Sequence, residues 1–138
     1  MKGYLILEDG TVFEGTLQGD EKETLCEVVF TTGMTGYGET VTDPSFEGQA
    51  VVMTYPMIGN YGSNREDRES LRPWISALIV RELASFPSNF RNEQPFADYL
   101  KETGVPVLSG VDTRSLTRRL RDKGTMNGLI TYKKPGDI

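Results

Sequence analysis

A chain of 138 residues, 37 % apolar and 25 % charged, is long enough for one domain with a sizeable core and too apolar to stay disordered. Its net charge of −5 argues against nucleic acid as the main partner, and no apolar run approaches the ~20 residues of a membrane span. It has no histidine and a single cysteine, which excludes Ser-His-Asp chemistry, histidine-ligated zinc and phosphohistidine transfer.

The start, MKGYLILEDG, does not read as a signal peptide, because its apolar run stops at Glu8 and Asp9. The cytoplasm is therefore the expected location. Tyr4 to Leu7 reads as a strand. Asp9-Gly10 between apolar segments predicts a hairpin, with Val12 to Leu17 returning. Gly19 to Glu23 is a polar turn, and Leu25 to Thr32 is a third strand. These three strands read as one antiparallel unit. Cys26, Val28 and Phe30 share a face of the third. The plain reading of Cys26 is a small buried apolar residue. A nucleophile would need a base, and the usual one is missing.

MTGYGETVTDPSFEGQ, Met34 to Gln49, has three glycines, a proline, five hydroxyls and three carboxylates. It can bury little apolar surface and reads as a long loop, a kind that is usually functional. Its Thr42-Asp43-Pro44-Ser45 turn presents a hydroxyl and backbone amides together, or is an ordinary turn whose groups satisfy one another. Glu39, Asp43 and Glu47 lack the alternate spacing of a calcium loop.

AVVMTYP, Ala50 to Pro56, is nearly continuous in apolar character, as a strand covered on both faces would be. Pro56 limits it. A second loop, MIGNYGSN, follows, and ligand sites favour the carboxyl ends of interior strands. Its Gly59-Asn60-Tyr61-Gly62 is no phosphate fingerprint and reads equally as a tight turn. Arg65 to Arg72 is charged and helix-tolerant. Ile75 to Val80 is a second interior strand.

Pro95 opens the predicted helix PFADYLKETG, with Phe96, Tyr99 and Leu100 as its apolar stripe and Gly104 as its stop. Val105 to Leu108 is a short strand. The clearest helix is DTRSLTRRLRDKG: Asp112 as N-cap, Val111 and Leu116 as a hydrophobic staple, Gly124 at the C-terminal cap. Asn127 to Tyr132 returns as a strand, and KKPGDI reads as a linker. The order predicts a mixed α/β domain, a β-hairpin layer added to a βαβ part.

Arg114, Arg118 and Arg121 stand at i, i+4 and i+7 and form one helical face, flanked by Arg119 and Lys123. That face is either simply solvated or a patch for a protein partner's carboxylates, which arginine binds bidentately.

Six stretches together resemble a known family. They are LEDGTVFEG (7–15), EVVFTTGMTGYGETVTDPSFEGQ (27–49), MTYPMIGNYG (53–62), VREL (80–83), SNFR (88–91) and VDTRSLTRRLRDKG (111–124). In this order they resemble the N-terminal domain of the small, glutamine-using subunit of carbamoyl phosphate synthetase. The resemblance implies a three-layer β/β/α swivelling-type α/β domain, an antiparallel β layer plus a mainly parallel sheet and helices. It implies that residues 1–138 are that domain, with the C-terminal amidotransferase domain absent.

The family enzyme is a ligase that makes carbamoyl phosphate from glutamine, bicarbonate and ATP, for the biosynthesis of arginine, pyrimidines or both. The resemblance puts the glutamine-hydrolysing Cys, His and Glu in the amidotransferase domain. This chain then has no catalytic residue, Cys26 is not the nucleophile, and the isolated domain is inactive. Ser45 matches a serine that helps bind L-glutamine. The implied partners are the amidotransferase domain, the large subunit and L-glutamine. Nucleic acid and membrane are not expected. No cofactor or metal is expected in this domain, since the large subunit uses ATP and magnesium. The competing reading is a free-standing protein-binding module with a basic recognition helix.

Overall fold

The structure, a computed structural model, describes residues 1–31, 46–54, 75–81 and 104–134. In chain order these form β1 (Lys2–Leu7), β2 (Val12–Gly19), β3 (Thr24–Thr31), β4 (Gln49–Met53), β5 (Ala77–Ile79), β6 (Pro106–Ser109), α1 (Thr113–Lys123) and β7 (Met126–Thr131). Every predicted strand among these residues is present, with ends shifted by a few residues. The predicted helix from Pro95, the charged stretch 65–72 and the loop around Gly59 lie outside the described residues.

The Asp9-Gly10 turn forms as its residues require. Gly10 takes φ +91°, and its amide donates to the Leu7 carbonyl at 2.8 Å. Asp9 Oδ1 accepts from the Thr11 amide at 3.0 Å. Ile6 then faces Val12, and Leu5 faces Phe13.

The strands close into a barrel in the order β1-β2-β6-β5-β4-β3-β7, with β7 returning to β1. The run β3-β4-β5-β6 is parallel, and the remaining pairings are antiparallel. The expected antiparallel and parallel groups are therefore both real. Their arrangement differs from the expectation in two ways. β3 does not continue the β1–β2 hairpin, because β7 lies between β1 and β3. And the two groups do not stack as separate layers. They are hydrogen-bonded to each other along both seams, β2–β6 and β7–β3, so no edge is left open. Only one helix, α1, is found among the described residues.

The alternation of side chains sorts the core. Leu5, Leu7, Leu17, Cys26, Val28, Ala50, Val52, Ala77, Ile79, Leu108 and Ile130 come from all seven strands and form one buried cluster, the barrel interior. Gly128 joins the crowded side, since a Cβ there would lie 3.0 Å from both Leu5 Cδ1 and Val28 Cγ2. Val51, Met53, Leu78, Val80, Val105 and Val107 form a second buried cluster on the outward side of the parallel run. Strands β4, β5 and β6 are thus apolar on both faces, as their sequences suggest. The antiparallel half instead exposes Glu14, Leu25 and Asn127.

Helix α1 closes one end of the barrel. It leaves β6 through Gly110 (φ +78°), and its Leu116 and Leu120 enter the interior cluster together with Val111. The staple is in place, and so are both caps. Asp112 Oδ1 accepts from the Ser115 amide at 3.1 Å, its other oxygen accepts from the Ser115 hydroxyl at 2.9 Å, and the Gly124 amide donates to the Leu120 carbonyl at 2.8 Å. On the far side Arg119 pairs with Asp9 at 3.0 Å and ties α1 to the hairpin turn.

The cap carries a prediction. Those hydrogen bonds from Ser115, with the nearby Arg81 charge, hold the Asp112 carboxyl below the usual carboxylate range. A pKa lowered by folding stabilises the protein above the unfolded value, and that stability is lost as pH falls through the folded value. Asp112→Ala should lower the thermal midpoint by a few degrees at neutral pH. The gap from wild type should close on acidification below the carboxylate range. A gap that is constant with pH would mean that the charge of Asp112 plays no part.

Candidate functional site

The carboxyl ends of parallel strands gather at one end of a sheet, where ligand sites in α/β folds concentrate. Here β4 runs out to Thr54 and β5 to Arg81, both beside the start of α1. Thr54 Oγ1 donates to the Thr31 carbonyl at 2.9 Å, which joins the ends of β3 and β4. The Val80 amide donates to the Leu108 carbonyl at 2.9 Å, and the Gly110 amide donates to the Arg81 carbonyl at 2.9 Å, which fixes Arg81 against the β6–α1 connection.

A cavity of about 430 Å³ opens at this end, lined by Thr54, Arg81, Thr113, Arg114, Thr117, Arg118 and Arg121. The helical periodicity of Arg114, Arg118 and Arg121 does put them on one face, and that face meets Arg81 from another element. Thr113 and Thr117 are buried beneath the four exposed arginines. The ion pairs among the described residues include none of these four guanidinium groups. Asp112 is the carboxylate whose charge is felt by Arg81. Among the described residues the buried Thr117 hydroxyl has no hydrogen-bond partner. Arg119 and Lys123, expected to flank the face, line a smaller neighbouring cavity with Ser115, Arg118 and Asp122.

Arg81, Thr54, Thr113 and Thr117 were not foreseen as site residues. The signal for Arg81 was its place directly after an interior strand. Nothing in local spacing links it to the helical arginines.

The described lining of the cleft presents four guanidinium groups and three threonine hydroxyls, donors that can bind oxyanions. Cys26 is elsewhere, in the barrel interior between Thr24 and Gly128. Its Sγ lies 3.9 Å from the Gly128 carbonyl oxygen, and burial pushes its thiol up to about 11. It stays a thiol at neutral pH, the unreactive form. Iodoacetamide should therefore leave the native chain unmodified at pH 7.5 over an hour and label it fully in denaturant. Rapid stoichiometric labelling of the native chain would contradict this placement.

Ser45, Asp43, Glu39 and the Gly59–Gly62 loop lie outside the described residues. The described chain resumes at Phe46, whose ring packs against the outward cluster ahead of β4. The arginine cleft is at the other end of that strand. Among the described residues no group of three or more His, Cys, Asp or Glu is placed to hold a metal ion. No helix among them is long and apolar enough to cross a membrane.

Fold and cleft together define a mixed β-barrel domain with a cationic cleft at one end. Comparison with known proteins adds the lineage. Residues 5–130 match the family described as carbamoyl-phosphate synthase small chain, CPSase domain, and the chain belongs to that family. It is 56 % identical over 138 residues to the carbamoyl phosphate synthase small chain of Caldanaerobacter subterraneus subsp. tengcongensis, covering all of this chain and 39 % of that one. It is 60 % identical over 130 residues to the small chain of Bacillus cereus and 54 % identical over 129 to that of Listeria monocytogenes, covering in each case 94 % of this chain and 36 % of the relative. The chain thus spans between 36 % and 39 % of the length of these curated relatives.

Proposed function

We propose that this chain is the non-catalytic N-terminal domain of a carbamoyl phosphate synthase small subunit. In this reading it supports glutamine binding and holds the amidotransferase domain and the large subunit in one assembly, which makes carbamoyl phosphate from glutamine, bicarbonate and ATP. The supporting observation is the family match over residues 5–130, at 54 to 60 % identity to the N-terminal-sized share of three small chains. The chemistry agrees with it. The one thiol is buried and protonated, which agrees with glutamine hydrolysis in another domain. Ser45 would contact the glutamine held by the amidotransferase domain. ATP and magnesium would serve the large subunit, in the cytoplasm, for the synthesis of arginine, pyrimidines or both.

The test is reconstitution. The 138-residue chain alone should release no ammonia from glutamine. Mixed with the remaining part of a relative's small chain and its large subunit, it should co-purify with them and restore glutamine-dependent carbamoyl phosphate synthesis. Ammonia release by the chain alone, or no association with either component, would overturn the proposal. One observation favours a second reading, a binding module for acidic partners: the arginine face has no ion pair among the described residues. In that case the chain would bind an acidic peptide but restore no synthesis.

A further inference from the structure

Four guanidinium groups around one cavity are costly to keep together, because like charges repel. They are the more unusual in a chain whose 20 acidic residues outnumber its 15 basic ones. A protein with that surplus could neutralise such a cluster internally. Arg119 shows how, through its 3.0 Å pair with Asp9 on the opposite flank of the same helix. Arg114, Arg118 and Arg121 have no such pair among the described residues, and Arg81 has only the nearby charge of Asp112.

Three more features sit at the same place. The cluster consists of arginines, whose planar forks suit oxyanions bidentately. The cavity, at about 430 Å³, falls within the size range of small-molecule sites. And Thr117, 7 % exposed, lines it with a hydroxyl that has no hydrogen-bond partner among the described residues. A buried hydroxyl without a partner is destabilising, and valine of the same shape would avoid that cost. Its presence under four arginines has a rationale if a bound oxyanion accepts from the hydroxyl.

We propose that this cleft, formed by Arg81, Arg114, Arg118 and Arg121 over Thr117, is a binding site for a small, multiply charged oxyanion, either a phosphate ester or a polycarboxylate. The inference stands apart from the glutamine reading, since it uses only residues at the carboxyl ends of β4 and β5 and along α1. The guanidinium groups do not titrate in the working range, so affinity should follow the charge of the ligand and fall with salt.

The experiment is calorimetric titration of the 138-residue chain at low ionic strength with pyrophosphate and, separately, citrate, with acetate as control. One saturable site is expected for at least one of the two, weakened by added salt, with acetate far weaker. Pyrophosphate alone points to a phosphate ester, and citrate alone to a polycarboxylate. Arg118→Gln and Arg121→Gln should each weaken binding roughly three- to tenfold, while Arg119→Gln leaves it unchanged. All three side chains are on the surface of α1, so the variants should keep the fold, checked by circular dichroism. Thr117→Val should raise the ligand-free thermal midpoint and weaken binding, the opposite signs expected of a group kept for a ligand. The proposal is overturned by the absence of saturable binding, by affinity that Arg118→Gln and Arg121→Gln leave intact, or by binding of an acidic peptide such as oligoglutamate with neither small anion bound.

Discussion

Gly15→Ala should open the barrel at its β2–β6 seam. Gly15 lies in β2 with Gly3 opposite it on one side and the β6–α1 connection on the other. A Cβ at this position would run into the Ser109 carbonyl oxygen, and it would also lie 3.0 Å from Val111 Cγ2 and 3.4 Å from Leu108 Cγ. The Ser109 oxygen is backbone, and Ser109 is held in register with Thr16, so it cannot rotate away as a side chain could. In an open sheet the edge strand could drift outward. In a closed barrel every strand is pinned on both sides, and moving β6 disturbs β5 and the interior residue Leu108 with it. The loss should be about 3 kcal/mol or more, at the severe end for overpacking.

Gly15 is not among the glycines at positive φ, so crowding alone would be responsible. Gly10→Ala provides the contrast: φ is +91° there, but nothing lies within 4 Å of the added carbon. Backbone strain without a clash should cost about 1–2 kcal/mol. Denaturant midpoints of the two variants decide the matter. If Gly15→Ala is as mild as Gly10→Ala, β2 and β6 are not packed as described.

Local patterns revealed the elements well, because each signal was complete within a few residues. Asp112, Val111, Leu116 and Gly124 together specify where α1 begins and ends, and both caps form as read. The continuous apolar character of Ala50 to Met53 followed from burial on both faces, which the structure repeats. The closure of the barrel was not legible. It depends on which strand edges meet, and β2 pairs with β6 across a separation of 93 residues from Thr16 to Ser109. No short-range signal encodes such a pairing. The alternating pattern of β3 says which face is buried but not that its neighbour is β7 and not β2. The arginine cleft was half legible for the same reason. Helical spacing grouped Arg114, Arg118 and Arg121, while Arg81 reaches them only through the parallel order of β4, β5 and β6.

On the proposed function, Ser45→Ala in the full-length small subunit, assembled with its large subunit, should raise the KM for glutamine and leave bond breaking to the other domain. The chain has no histidine, so nothing of its own would activate the Ser45 hydroxyl as a nucleophile. Its contribution would be a hydrogen bond to a polar group of glutamine. Removing one such bond costs about 0.5–1.5 kcal/mol, or up to ~3 kcal/mol against a charged group, which is a factor of roughly two to a hundred in KM if binding is uniform. Phe46, the next residue, packs against the outward cluster ahead of β4. Synthesis from added ammonia bypasses the glutamine site and should be nearly unchanged. The comparison of the two nitrogen sources is what gives the test its force. A selective loss with glutamine identifies a substrate contact. An equal loss with both would assign Ser45 to the fold or to the subunit interface, and the glutamine-contact reading would be withdrawn.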